Sequence, residues 1–104
     1  MDIYHWQLDS LGDPTRRAIV ERLFDGPKSV GELAKEFPVS RPAISHHLKV
    51  LKQANLVADE AVGNRRLYRL NPEGFDLLRE YFDRFWRQAL AAFKQSLEKT
   101  EESK

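Results

Sequence analysis

Arg41, Ser45, His46 and Lys49 lie in one short stretch at one-, three- and four-residue steps, with Pro42 beside the first of them. At about 100° per residue, Ile44, Leu48 and Leu51 fall on one side of a helix and Pro42, Ser45, His46, Lys49 and Gln53 on the other, with Arg41 near the edge. The outward set suits a reader of duplex nucleic acid. Arginine forks to guanine, small hydroxyls fit base edges or phosphate, and lysine neutralises backbone charge. Left to this helix alone, a merely solvated face is the competing reading. A second basic group, Arg65 and Arg66, follows Gly63-Asn64, with Arg69 further on. Such arginines suit phosphates or a narrow minor groove, and otherwise only discourage edge pairing of an exposed strand.

Enzymatic readings fare poorly. There is no cysteine, no glycine-rich phosphate loop and no Ser/His/Asp order set on a strained turn. Ser45 and His46 are sequence neighbours on a helix, so they do not face each other as nucleophile and base. A metal is equally poorly served. The only histidines are His5, His46 and His47. Adjacent His46 and His47 point different ways, His46 with the outward set and His47 beside the apolar stripe as a packed or hydrogen-bonded residue. No cofactor is implied.

The elements that must carry these residues are legible from caps and breakers. Asp13-Pro14 reads as an N-cap with proline at the first helical position, opening a helix that buries Ile19, Val20, Leu23 and Phe24 and stops at Gly26-Pro27. Ser29 and Glu32 form a capping box for a short helix burying Val30, Leu33, Ala34 and Phe37, halted by Pro38. Ser40 caps the reading helix, residues 41–54, and Asn55 suits its left-handed C-terminal position. Residues 29–53 therefore match a helix-turn-helix. Residues 56–61 and 65–70 then alternate as two strands around the glycine-asparagine turn, a β-hairpin or wing. Asn71-Pro72-Glu73 opens a long helix reaching about Lys99, with Gly74 in the first turn, where a weak helix former does least harm. The last five residues are expected to fray. A first helix at about residues 3–11 completes the order α-α-α-α-β-β-α, a mainly α fold with one small hairpin.

Four segments, LGDPTRRAIVERL, SVGELAK, VSRPAISHHLKVLK and NRRLYRLNP, in that order resemble the ArsR family of bacterial winged helix-turn-helix repressors over about residues 8–72. The resemblance implies a homodimer that binds an operator in double-stranded DNA and blocks transcription. It implies DNA-reading roles for Ser40, Arg41, Pro42, Ser45 and His46, with Arg65 and Arg66 on the backbone; Lys49 joins them from its place on the outward face. Metal-sensing members use a cysteine pair on the helix before the turn, or Asp/His ligands along the C-terminal helix. This chain reads SVGELAKEF at the first place and has no histidine at the second, so it resembles the cysteine-free members and a metal effector is not expected. The effector, and the regulated genes, stay unassigned.

Composition fits this picture. The chain has 104 residues and net charge +1, the size of one domain over residues 1–104. Residues 26–71 carry eight bases against four acids, whereas both flanks are net acidic, which points to a local anionic partner. No apolar run approaches the ~20 residues of a membrane span, and the start lacks a signal pattern, so a cytoplasmic protein is expected.

Six of the eleven aromatics fall between Phe75 and Phe93. Phe75, Leu78, Phe82, Phe85, Ala89 and Phe93 form one helical stripe, widened by Trp86 and Leu90 and continued by Leu97. A domain this small has too little core to bury them, so a two-fold seam with the N-terminal helix bearing Tyr4, Trp6 and Leu8 is expected. An apolar effector pocket between subunits and an ordinary intrachain core are the competing readings. A winged helix serving only as a protein-interaction module is the alternative function; steep salt dependence of duplex binding separates the two.

Overall fold

In the computed structural model, which describes residues 5–102, five helices and one hairpin follow the expected order. They are α1 (His5–Leu11), α2 (Pro14–Leu23), α3 (Val30–Glu36), α4 (Arg41–Gln53), β1 (Val57–Val62), β2 (Arg65–Leu70) and α5 (Pro72–Glu102). Ile3 and Tyr4, expected in the first helix, lie outside the described residues, as do Ser103 and Lys104 of the expected frayed end. The long helix runs on to Glu102 instead of stopping near Lys99, helped by a Thr100 Oγ1 bond to the Ser96 carbonyl at 3.0 Å.

Local chemistry sets most boundaries. Pro14 opens α2, but the Asp13 side chain makes no cap bond; it turns toward Arg16 and His47 instead. Phe24 is a correction: it stands at the C-cap position, 65% exposed, because α2 has already ended and Leu23 fills the last core position. The α3 capping box is complete, with Ser29 N–H donating to Glu32 Oε1 at 3.1 Å and Glu32 N–H to Ser29 Oγ at 3.2 Å. Ser40 Oγ accepts from the Ala43 N–H at 3.3 Å to start α4. At the other end Asn55 takes φ 59°, its N–H donates to the Lys52 carbonyl, and Leu56 N–H reaches back to the Leu51 carbonyl. Those two bonds are a Schellman motif, with apolar Leu51 and Leu56 as the accompanying pair.

Ile44, Leu48 and Leu51 of α4 are fully buried against Ile19, Val20, Leu23, Leu33, Leu56, Val57 and Leu78. Each such side chain contributes about 1.5–3 kcal/mol by leaving water, and together they fix which face of α4 stays outside. Val30, Ala34 and Phe37 of the α3 region are only partly buried, packed on the edge of this core.

The hairpin pairs Val57 with Leu70 through to Val62 with Arg65. Its two-residue turn has positive φ at Gly63 (62°) and not at Asn64, the pattern of a type II′ turn, whose twist suits the strands. Lys28 and Tyr68 exchange backbone bonds at 3.0 and 2.8 Å on the other edge of β2. Two helices and a flanking wing on a common core make this a winged helix-turn-helix fold.

Candidate nucleic-acid interface

The capped start of α4 and the tip of the hairpin face each other across a groove of about 580 Å³. Gly31, Arg41, Pro42, Ser45, Arg65 and Arg66 line it. Five of the residues singled out in the sequence are thus brought together. The Arg41 guanidinium lies against the α3 backbone, since a Cβ on Gly31 would come within 2.2 Å of Arg41 Nη2. Ser40 is exposed, with its hydroxyl committed to the cap. His46 and Lys49 are exposed further along the outer face of α4 and do not line the groove.

Arg65 and Arg66, at the start of β2, are each engaged by a carboxylate. Arg65 Nη2 pairs with Glu32 Oε1, the same oxygen that caps the Ser29 N–H. Arg66 Nη1 donates to Asp59 Oδ2 at 2.9 Å, while Lys52 Nζ reaches Asp59 Oδ1 at 2.8 Å. The hairpin register explains the first Asp59 contact. Arg66 is opposite Ala61 and Asp59 opposite Tyr68, so Arg66 and Asp59 are diagonal neighbours on one face. Glu32 is held below the ordinary glutamate range by the backbone and side-chain hydrogen bonds of Ser29, with Arg65 and Lys28 adding. Asp59 is held below the ordinary aspartate range mainly by its Lys52 hydrogen bond, with Arg66 reinforcing it against a burial penalty.

His47 is partly buried on the inner flank of α4, as its place beside the apolar stripe implies. Its Nδ1 is 3.4 Å from Arg16 Nη1 and 3.8 Å from Asp13 Oδ2. Arg16 Nε donates to the Ser10 carbonyl at 2.7 Å, and Gln7 Nε2 donates to the Ala54 carbonyl at 2.8 Å. Polar contacts therefore tie α1 to the C-terminal end of the reading helix and α2 to its middle. The contacts of Arg16 with His47 and of Gln7 with Ala54 escape a sequence reading because these partners lie 31 and 47 positions apart. The rings of His46 and His47 are 6.1 Å apart and tilted by 56°. Among the described residues no group of three or more His, Cys, Asp or Glu is placed to hold a metal ion.

The aromatic stripe divides. Leu78 is 7% exposed within the protomer's own core and Phe75 packs on that core. These two are occupied inside the protomer because the first turns of α5 lie over the junction of α4 and β1. Trp6, Phe82, Phe85, Trp86 and Phe93 are each more than half exposed, and Ala89 is exposed with them. No helix among the described residues is long and apolar enough to cross a membrane.

Residues 13–59 match the model of the family described as bacterial regulatory protein, arsR family. Over 93 residues the chain is 57% identical to the HTH-type transcriptional regulator Rv2034 of Mycobacterium tuberculosis, covering 89% of this chain and 85% of that protein. It is 44% identical over 62 residues to the transcriptional repressor SdpR of Bacillus subtilis, covering 60% of this chain and 69% of the repressor. Among solved structures, an ArsR-like transcriptional regulator from Rhodococcus sp. RHA1 superposes with a TM-score of 0.76 at 32% identity, over 89% of this chain and 91% of that one.

Proposed function

The chain belongs to the arsR family of bacterial regulatory proteins and is a DNA-binding transcriptional regulator, not an enzyme, and from that premise we propose a homodimeric repressor with a specific division of labour on its operator. Residues 41–54 enter the major groove. Arg41, Pro42, Ser45 and His46 meet base edges there, while Ser40 and Lys49 meet the flanking phosphates. Arg65 and Arg66 of the wing contact the backbone or the adjacent minor groove. The observation that carries this reading is the convergence of Arg41, Arg65 and Arg66 on one exposed groove.

Two reading helices enter successive major grooves only when held about 34–36 Å apart. Trp6 of α1 and Phe82, Phe85, Trp86, Ala89 and Phe93 of α5 supply the two-fold seam that holds them. The whole chain is then one reading unit with a dimerisation helix at each end, acting in the cytoplasm where its DNA lies. With neither of the family's metal-ligand sets present, its occupancy of DNA is set without a metal sensor.

Fluorescence anisotropy with duplex from the gene's upstream interval tests this. Saturable binding of two chains per site is expected, tighter than to scrambled duplex and weakening steeply as salt rises. Equal, weak binding to both duplexes at low salt overturns it.

A further inference from the structure

One carboxylate joins the two elements of the interface. Asp59 sits on β1 with its side chain only 9% exposed. Its Oδ1 takes Lys52 Nζ from the last turn of α4, and its Oδ2 takes Arg66 Nη1 from β2. Between these elements the chain passes through the tight Schellman corner at Ala54 to Leu56. The base of the wing is held by the core packing of Val57, Tyr68 and Leu70 and by the backbone pairing of Lys28 with Tyr68. Its tip reaches α3 through Arg65 and Glu32, but Asp59 is the side chain that ties it to the reading helix itself. The Lys52 and Arg66 cations, both brought to the same aspartate, repel one another once it loses its charge.

We propose that Asp59 is the positioning residue that sets the wing against the reading helix, so that removing its carboxylate weakens operator binding although it removes a negative charge from a DNA-binding surface. The inference rests on the reading of the wing as a DNA contact. Two features separate positioning from competition with phosphate. Asp59 is almost wholly enclosed and doubly paired, where Glu32 is exposed and holds a single guanidinium. Arg66 keeps 55% of its side chain exposed while one nitrogen is held. A guanidinium has five donors in a rigid fork, so the held Arg66 still presents donors to a phosphate, in a direction that Asp59 fixes.

The test uses the full chain and the upstream duplex, with dissociation constants and hydroxyl-radical footprints for wild type, Asp59→Asn, Asp59→Glu, Lys52→Gln and Arg66→Gln. Asp59→Asn is expected to bind about tenfold more weakly, a size ordinary for coupled charge networks, and to lose protection at the outer flanks while keeping the centre. Asp59→Glu restores most of both. Lys52→Gln breaks the same link from the helix side and thins the same flanks, which keeps the test valid should Asp59→Asn fold poorly. Binding by Asp59→Asn that is equal or tighter, with intact flanks, overturns the proposal. An unchanged footprint and affinity for Arg66→Gln instead overturns the reading of the wing itself.

Discussion

Arg41 lies across Gly31: the guanidinium Nη2 stands only 2.2 Å from where a β-carbon on that glycine would be. The third helix thus shelves the first residue of the reading helix. Gly31→Ala puts a methyl on that shelf and drives out the flexible end of Arg41 while leaving the backbone undisturbed. Gly31 stands in the first turn of α3, so alanine costs the helix nothing there. Thermal stability is expected to hold or rise, whereas preference for the operator over a duplex altered at the Arg41 base falls by about 1–3 kcal/mol, the worth of one good bidentate base contact. Calorimetry together with anisotropy on the two duplexes checks this; unchanged preference would show that Arg41 reads DNA from another pose.

Arg41→Ala and Arg66→Ala separate base reading from backbone contact. The first is expected to cost about 1–3 kcal/mol and flatten base preference, while the second weakens all sequences about equally and lowers the salt slope by about one. A panel of single-base operator variants titrated at several salt concentrations distinguishes them.

Glu32→Gln is expected to tighten binding. The amide still accepts the Ser29 N–H and so keeps the capping box, but it no longer holds Arg65 electrostatically. Roughly two- to fivefold higher affinity at low salt is expected, shrinking as salt screens the difference. In an Arg65→Gln background the gain should vanish, since the double-mutant cycle isolates the pair. A gain of equal size in both backgrounds would assign the effect to general charge.

Acid should loosen the wing. Asp59 and Glu32 both have folded values below their ordinary ones, so the folded state binds protons less readily than the unfolded chain. Their contribution to stability is complete above the unfolded carboxylate values and is lost as pH falls below about 4 through the folded ones. Melting temperatures from pH 7 to 3 are expected to fall less steeply at the acid end for Asp59→Asn than for wild type. Parallel curves would mean that the Lys52–Asp59–Arg66 cluster carries no linkage.

Phe85→Glu should split the dimer. Phe85 is 57% exposed on the protomer and lies beyond the part of α5 that packs on the core, so the charge leaves the fold intact but enters the proposed seam. Light scattering is expected to report the single-chain mass of 12.1 kDa, with operator affinity falling more than tenfold because two half-sites are no longer joined. An unchanged mass places the seam elsewhere.

Much of the scaffold was legible because its signals are local. Ser29 with Glu32, Ser40 with Ala43, and Asn55 at its positive φ each act within three or four residues, and the Ile44, Leu48 and Leu51 stripe follows from helical period alone. The outward face of α4 follows by subtraction. Phe24 misled because its place on the stripe is right but the helix ends one residue earlier. What stayed hidden depends on the tertiary fold: Glu32 with Arg65 and Arg16 with His47 join distant segments, and Lys52 meets Asp59 only through the course of the corner that ends the reading helix. The Asp59–Arg66 diagonal needs only the hairpin register, and that register follows from the two-residue turn at Gly63-Asn64, so this pair lay within reach of the sequence.

Gly74 stands in the first turn of α5, where a weak helix former does least harm. A Cβ there would come 2.1 Å from the carbonyl oxygen of Asn55 and 2.6 Å from its carbon, so the last helix abuts the main chain at the very end of the reading helix. The 31 residues of that helix span about 46 Å at 1.5 Å each, and from Phe82 through Thr100 every residue is exposed. Such a rod, held at one end by the close backbone approach at Gly74 and by the packing of Phe75 and Leu78 on the core, is a lever with its fulcrum in its own first turns. About 42 Å of helix separates Gly74 from Glu102, so a 5 Å sideways displacement of the far end amounts to a rotation of only about 7° at the fulcrum.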